Sequence, residues 1–572
     1  MGNYPWYEVV NICDLKDMLR KSVDRFGTQN AFLNRRADGE YEGLTYAEFG
    51  HRVMALGAAL FARGFAPGST MGIYSEGRWE WGLTYLAVAG GNGINVPIDK
   101  ELKEQDIRHI LGETGTTFLV TSARFLDVVR ELQGRLPHLK TVISMDLPEH
   151  EERALSLSLL LQEGDRLLQD NETAYPSVKV DAERPVSIIY TSGTMAIAKG
   201  VVLSQRNITA NMMDMCRAAY IDDQDIFLSV LPLHHTYECT CGLLTPLYRG
   251  CTISYCDNLR RLADQMREVR ATMMLGVPLL FESIHRKIQE GIEQKGRGKF
   301  RLGMGIANVS QKWLKLNLRK KIFATLHQRF GGRLRLLISG GAAIDPEVIR
   351  FFRQIGIHCM QGYGLTESSP IIAVNRNEWY KDEAAGYPLP SVEVKIVDGE
   401  ICACGPNVML GYYKNPEATA EVIRDGWLHT GDLGFVDEDG FVHIRGRKKA
   451  VIVLANGKNV YPEEVEFHLN KSPYILESLV WEGPEAVDGK VEEVQAMIVP
   501  NMERFDAYSQ EKQLSLSDDL VEQVLREEVR RECRPLPHYK RVRKFTIRWE
   551  EFDKTTTRKI KRYLYTQKVR KT

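Results

Sequence analysis

A chain of 572 residues is too long for one ordinary hydrophobic core, and its 44% apolar and 26% charged residues are those of a globular protein, so two or more domains are expected. Its 75 basic and 75 acidic side chains cancel, which argues against a protein built to coat nucleic acid. Ten cysteines are scattered over the chain, and the close pairs Cys239/Cys241 and Cys402/Cys404 have one intervening residue, too few for common zinc knuckles. They read as reduced structural thiols.

The start, MGNYPWYEVV, has neither a basic n-region nor an apolar h-region, and Trp6 stands where a myristoylation site needs Ser or Thr. No stretch reaches the apolar length of a membrane span, so the expected location is cytoplasmic, with any membrane contact peripheral at the inner face. Thr45 to Arg63 carries apolar residues at helical spacing behind a Thr cap, and Thr70 to Tyr74 and Phe118 to Thr121 read as strands. Apolar runs recur at Val186 to Ile189, Ile226 to Val230, Ala271 to Leu275 and Leu334 to Ile338. The alternation predicts an α/β domain with mainly parallel strands, and ligands collect beyond the carboxyl ends of such strands. Gly291 to Leu316, polar, basic and glycine-containing, is expected to be a surface excursion.

After about Gly411 the character changes. Phe435 to Arg445 reads as strand, acidic glycine turn, strand, and a helix is expected to begin near Pro462 with Glu463 and Glu464 suiting its dipole. The domain boundary falls at Arg445 to Lys449. That gives a large domain over 1–445 and a small α+β domain over 446–572. From Lys540 to Thr572 thirteen Lys or Arg stand against three acids, which suggests an anionic partner: a polyphosphate ligand, an acidic carrier protein or a membrane surface.

Four segments carry the chemistry. Tyr190-Thr-Ser-Gly-Thr-Met-Ala-Ile-Ala-Lys-Gly200 follows an apolar run, and its free N–H groups, small hydroxyls and Lys199 suit phosphate oxygens. It lacks the Ser or Thr that follows the lysine in a G-x-x-x-x-G-K-[ST] loop. Ser339-Gly-Gly-Ala-Ala343 has small residues that let a flat base lie against the backbone. Gln361-Gly-Tyr-Gly-Leu-Thr-Glu-Ser368 offers an aromatic face, a hydroxyl and a carboxylate, and Gly426 to Gly434 places Asp432 in a tight turn suited to ribose hydroxyls.

In this order the segments resemble the adenylate-forming superfamily of acyl-CoA synthetases, luciferases and peptide-synthetase adenylation domains, over about Thr45 to Arg562. The resemblance implies a large adenylation domain followed by a small, mobile carboxyl-terminal one, with ATP, Mg2+ and CoA as the reaction's small molecules. It puts the catalytic lysine at Lys559, within Asp553 to Arg562. Thr191, Ser192, Gly193, Thr194 and Lys199 would hold the ATP phosphates; Gly341, Ala342 and Tyr363 would enclose adenine; Asp432 would bind ribose. Gln361, Gly362, Gly364 and Thr366 fall in the same nucleotide motif. Thr194 and Glu367 would place magnesium, with Glu367 and His235 counted among the catalytic residues. Arg447 would contact the nucleotide near a hinge at Lys449, and Gly457 and Lys458 would face the pantetheine thiol.

Leu231-Pro-Leu-His-His-Thr-Tyr-Glu238, Gly276 to Glu282, Asn456 to Pro462 and Thr557 to Ile560 resemble the long-chain fatty acyl-CoA synthetase branch. The implied substrate is a fatty acid whose tail lies near His235 and Val277 to Phe281, each buried CH2 contributing about 0.8 kcal/mol. The implied acceptor is CoA, with acyl carrier protein as the alternative and a non-catalytic fatty-acid or nucleotide sensor as a third reading. Met195, Ala196 and Ala198 depart from the family loop at positions that usually carry Thr, Gly and Pro. The expected consequence is a working but slower enzyme, since Met195 cannot donate a hydroxyl hydrogen bond.

Overall fold

The computed structural model describes residues 4–191, 198–482, 493–555 and 560–569. Two large sheets form the frame of the first domain. In one, the parallel strands Ile94–Pro97, Thr70–Tyr74, Phe118–Thr121 and Thr141–Ser144 continue into Pro185–Thr191, which turns back antiparallel into Lys199–Ser204. In the other, Thr252–Tyr255, Ile226–Ser229, Met273–Gly276, Leu336–Ser339 and His358–Gly364 lie side by side, all parallel. The expected runs thus form strands within one to two residues of their predicted limits.

Local chemistry sets the elements between them. The helix Tyr46–Ala62 starts in a capping box: Glu48 N–H donates to Thr45 Oγ1 at 3.2 Å and Thr45 N–H to a Glu48 carboxylate oxygen at 2.9 Å. The helix Trp79–Gly90 is buried from Glu80 to Gly90. A helix apolar all round has no solvent face, so it sits inside the core that also takes in Phe32, Phe49, Trp81 and Tyr85.

A third sheet, antiparallel, carries Glu393–Val397, Glu400–Cys404, Trp427–Val436 and Val442–Arg447. Beyond it, residues from Ile452 to Val542 build a core of their own around Val465, Ile498, Phe505 and Leu525. The helix Pro462–Leu469, with both predicted acids in its first turn, packs there against a three-stranded sheet made by Ile475–Glu482, Val494–Pro500 and Lys544–Ile547. This is the small α+β domain. All ten cysteines are free thiols.

Two expectations are refined. The excursion at Gly291 to Leu316 is the end of a helix, Pro278–Lys295, followed by a second, Arg297–Leu314, and its outer face is apolar rather than polar. Four of the thirteen tail cations pair with acids elsewhere in the small domain. Lys540 pairs with Glu464 at 2.5 Å, Lys544 with Glu493 at 2.9 Å, Arg562 with Glu466 at 2.5 Å, and Lys554 with Glu477. Among the described residues no helix is long and apolar enough to cross a membrane.

Candidate active site

The parallel register of the second sheet gathers the motifs. Gly276 lies opposite Ser339, and Ser339 opposite Gln361, so the segments after Gly276, Ser339 and Gly364 leave neighbouring strands at the same edge. The strand Ile226–Ser229 runs parallel beside them and delivers Leu231 to Glu238 there too. Residues distant in sequence meet because parallel strands share a carboxyl edge.

Two hydrogen-bonded groups stand at this edge. In the first, Tyr363 is buried and its hydroxyl donates to Asp432 Oδ2 at 2.8 Å, while Arg447 Nε pairs with Asp432 Oδ1 at 2.8 Å. Burial, and then the Asp432 charge, raise the Tyr363 phenol well above its ordinary pKa, so it remains a donor. The antiparallel pairing of Trp427–Val436 with Val442–Arg447 sets Arg447 directly across from Asp432. In the second group, Tyr412 donates to Glu367 Oε1 at 2.8 Å and the Lys199 ammonium lies 4.9 Å from the Tyr412 ring centroid. Lys199 opens the return strand opposite Thr191, and Gly411–Tyr412 pairs with that same strand, so sheet pairing brings Tyr412 to Lys199.

The glycine segments leave room for a ligand. Gly341, at φ +85°, would meet only Val277 Cγ1, at 3.9 Å, if it carried a Cβ, and Ala342 beside it is exposed. Gly364 has the opposite role: a Cβ there would sit 1.7 Å from the Pro370 carbonyl oxygen, so only glycine lets the chain pass. Gly362 and the half-buried Thr366 lie on either side of it. Gln361 is committed to the scaffold, its amide donating to the carbonyls of Ala384 at 2.6 Å and Asp382 at 3.1 Å. Ser339 Oγ, fully buried at the strand end, has no hydrogen-bond partner among the described residues. An open backbone shelf beside an unpartnered hydroxyl fits a polar, flat ligand.

His235 is half-buried, its ring 4.2 Å from that of His234, and His234 Nε2 stands 3.5 Å from Asp99 Oδ2. A stretch of π-helix, Tyr237–Leu244, follows. Within it Glu238 is 1% exposed, accepts a 2.5 Å hydrogen bond from Ser229 Oγ, and has its carboxyl pushed up to about 8 by burial. Burial thus favours its neutral, protonated form. Phe281 fills the space that a Cβ on Gly276 would occupy. Among the described residues no group of three or more His, Cys, Asp or Glu could hold a metal.

At the expected hinge segment Lys448 pairs with Glu400 at 2.9 Å, and Lys449 is exposed. Gly457, at φ +75°, and Lys458 form the exposed tip between Ile452–Val453 and Asn459–Val460, with the Lys458 ammonium 4.6 Å from the Tyr539 ring centroid. Ser192, Gly193, Thr194, Met195, Ala196 and Lys559 lie outside the described residues. The flanks of the Lys559 segment are described: Lys554 bridges to Ile560, and Arg562 donates to Glu466 at 2.5 and 2.7 Å.

The model of the AMP-binding enzyme family matches residues 19–413, well over half of the chain, including the parallel strands that carry Gly276, Ser339 and Gly364 and the pairing of Tyr412 with the Lys199 strand. This chain belongs to the AMP-binding enzyme family. It is 28% identical to the long-chain-fatty-acid–CoA ligase FadD15 of Mycobacterium bovis over 93% of this chain and 92% of that protein. To the peroxisomal long chain acyl-CoA synthetase 6 of Arabidopsis thaliana it is 30% identical, over 82% and 72%. The fold matches that of the anthranilate CoA ligase AuaEII in complex with anthranoyl-AMP, with a TM-score of 0.75 at 20% identity, covering 99% of this chain and 97% of that one.

Within this AMP-binding enzyme, sequence reasoning had not singled out Tyr412, Glu466 or Arg562. Tyr412 carries no motif of its own, and its place beside Lys199 and Glu367 comes from edge pairing. Glu238 was visible as a motif residue, but its protonation state follows from burial alone.

Proposed function

We propose that this AMP-binding enzyme is a long-chain fatty acid–CoA ligase. It joins a fatty acid carboxylate to ATP as an acyl-adenylate with loss of pyrophosphate, then transfers the acyl group to the thiol of CoA with release of AMP. The observation that carries this reading is the meeting of the Lys199–Tyr412–Glu367 group and the Tyr363–Asp432–Arg447 group at one sheet edge, beside the His235 and Val277 to Phe281 segments.

In the first half-reaction a carboxylate oxygen bonds to the α-phosphorus while the bond to the pyrophosphate oxygen breaks. Both reactants are anions, so placed cations lower the barrier as charge moves to the leaving group. Lys199 supplies charge from the loop whose hydroxyls, Thr191, Ser192 and Thr194, would hold the phosphates with the Gly193 backbone. Asp432, held by Tyr363 and Arg447, would accept from the ribose, and the shelf at Gly341 and Ala342 would take adenine. Thr194 and Glu367 would hold magnesium, which when bound neutralises phosphate charge.

Lys559, brought by the small domain, would bridge the carboxylate and the α-phosphate. The division at 445/446 and a rotation of the small domain about Lys449 belong to the same proposal. In the second half-reaction the CoA thiol loses its proton, a carbon–sulfur bond forms at the acyl carbonyl and AMP departs. Gly457 and Lys458 would face that thiol. CoA is favoured over an acidic carrier protein because the similar proteins are named CoA ligases and acyl-CoA synthetases.

The test is ATP–pyrophosphate exchange with carboxylates from acetate to palmitate, plus benzoate, without CoA, followed by turnover with CoA or carrier protein. Exchange that peaks at long chains and turnover that needs CoA are expected. No exchange with any acid would sink the adenylation reading, and a peak at benzoate the fatty-acid one.

A further inference from the structure

The helix Arg297–Leu314 is pinned to the body along one side only. Phe300 packs with its ring centroid 5.2 Å from Phe323 and 6.1 Å from Phe351, Ala307 and Ser310 are buried, and Arg319 reaches back to Asn308 at 3.0 Å and Gln311 at 2.9 Å. The opposite side is apolar and open. Leu302 is 68% exposed, Ile306 51%, Val309 57% and Trp313 76%, and Leu314 and Leu316 continue the patch at 63% and 52%. At roughly 100° of rotation per residue the first four fall within an arc of about 60°, a single stripe along the outer face. Scattered exposed apolar residues need no explanation, but a contiguous stripe does.

The charge around it is one-sided. From Arg297 to Lys321 there are eight Lys or Arg and no acid. Arg297 pairs back to Glu293 of the preceding helix. Lys299 lies on one flank of the stripe, Arg301 and Lys312 on the other, Lys315 caps the helix end between Leu314 and Leu316, and all four are exposed. A convex apolar stripe, flanked by cations on both sides and ending in a tryptophan, is matched by an anionic lipid surface. The acyl region takes the apolar side chains, the headgroups take the cations, and the long Lys and Arg stems reach up to them. A second copy of this face would bring like charges together, and a protein partner would need a groove to receive the stripe.

We propose that this helix docks the protein onto anionic bilayers, with Leu302, Ile306, Val309 and Trp313 entering the interface and Lys299, Arg301, Lys312 and Lys315 holding phosphate headgroups. The proposal stands apart from the ligase reading and locates membrane contact on this helix, away from the basic carboxyl-terminal tail.

The test uses the full chain with vesicles of phosphatidylcholine alone and with about 30% phosphatidylglycerol. Binding to the anionic vesicles only is expected, falling at least about tenfold in a Leu302→Ser/Ile306→Ser/Trp313→Ser variant. A Lys299→Gln/Lys312→Gln/Lys315→Gln variant should fall similarly, and unchanged thermal unfolding shows that each variant folds. Trp313→Phe should keep binding but lose part of the fluorescence quenching by brominated lipids. Equal binding to both vesicle types, undiminished binding by the serine variant, or no binding at all would overturn the proposal. So would a dimer abolished by the serine variant without vesicle binding.

Discussion

Tyr363 and Asp432 lie 69 positions apart and share one hydrogen bond, which neither residue advertises in the sequence. The aromatic face expected for adenine belongs to a side chain whose hydroxyl orients the acid expected for ribose, so the two residues act as one unit. Glu238 is the other residue whose meaning changed on folding. Its carboxyl moves from about 4.5 to about 8 because burial disfavours the charged form. The folded protein therefore keeps, between those values, a proton that the unfolded chain gives up. Stability falls as pH rises through that window and is level above it. The share due to this group is up to about 1.4 kcal/mol per pH unit. Glu238→Gln, which retains a neutral hydrogen-bonding group, should flatten that fall when unfolding is measured in denaturant from pH 5 to pH 8. An unchanged slope would show that Glu238 is not the titrating group.

At the scale of elements, the strands were readable because each is a short apolar run closed by a turn residue, and the helix after Thr45 because its cap and period agree. The positions of the turns beyond the strands were readable too. Their grouping was not, since strand order follows packing across the whole sheet. The small domain shows the same limit. Glu466, on the helix Pro462–Leu469, holds Arg562, which follows the segment carrying Lys559. Burial raises the Glu466 carboxyl to about 7 against the lowering pull of Arg562. Arg562→Met leaves that acid buried without its counter-charge, at a cost of about 3 kcal/mol to the small domain. Because it also frees the described flank at Ile560 to Arg562, next to the lysine proposed as catalytic, exchange should slow roughly tenfold to a hundredfold with little change in KM for ATP. Arg562→Lys should recover part of the rate. A loss confined to stability, with exchange intact in the folded variant, would reduce Arg562 to a purely structural residue.

Across the whole molecule, the small domain touches the large one through an ion pair away from the 445–449 connection: Lys471 lies 3.0 Å from Asp345, which also caps the helix Pro346–Gln354 beyond the Ser339 to Ala343 segment. A single partly buried ion pair at the surface contributes about 1 kcal/mol, too little to hold the fold but enough to bias two arrangements of similar energy. Lys471→Ala should leave the unfolding transition in place while changing the ratio of acyl-CoA formation to pyrophosphate exchange by about twofold to fivefold. An unaltered ratio would mean that the arrangement seen here is not weighed against another during turnover.

The residues alone determined the α/β class, the approximate limits of the strands, the change of character after Gly411 and the family resemblance, because these depend on local spacing and on short contiguous motifs. Tertiary structure decided that Tyr412 joins Lys199 and Glu367, that Arg447 faces Asp432, that burial raises the Glu238 carboxyl, and that four of the tail cations pair within their own domain. It also turned an apparently polar excursion into a helix with an apolar outer face. These outcomes depend on which strands pair, which carboxylates lose water and which helix face meets the core, and such relations exist only once distant parts of the chain have packed together.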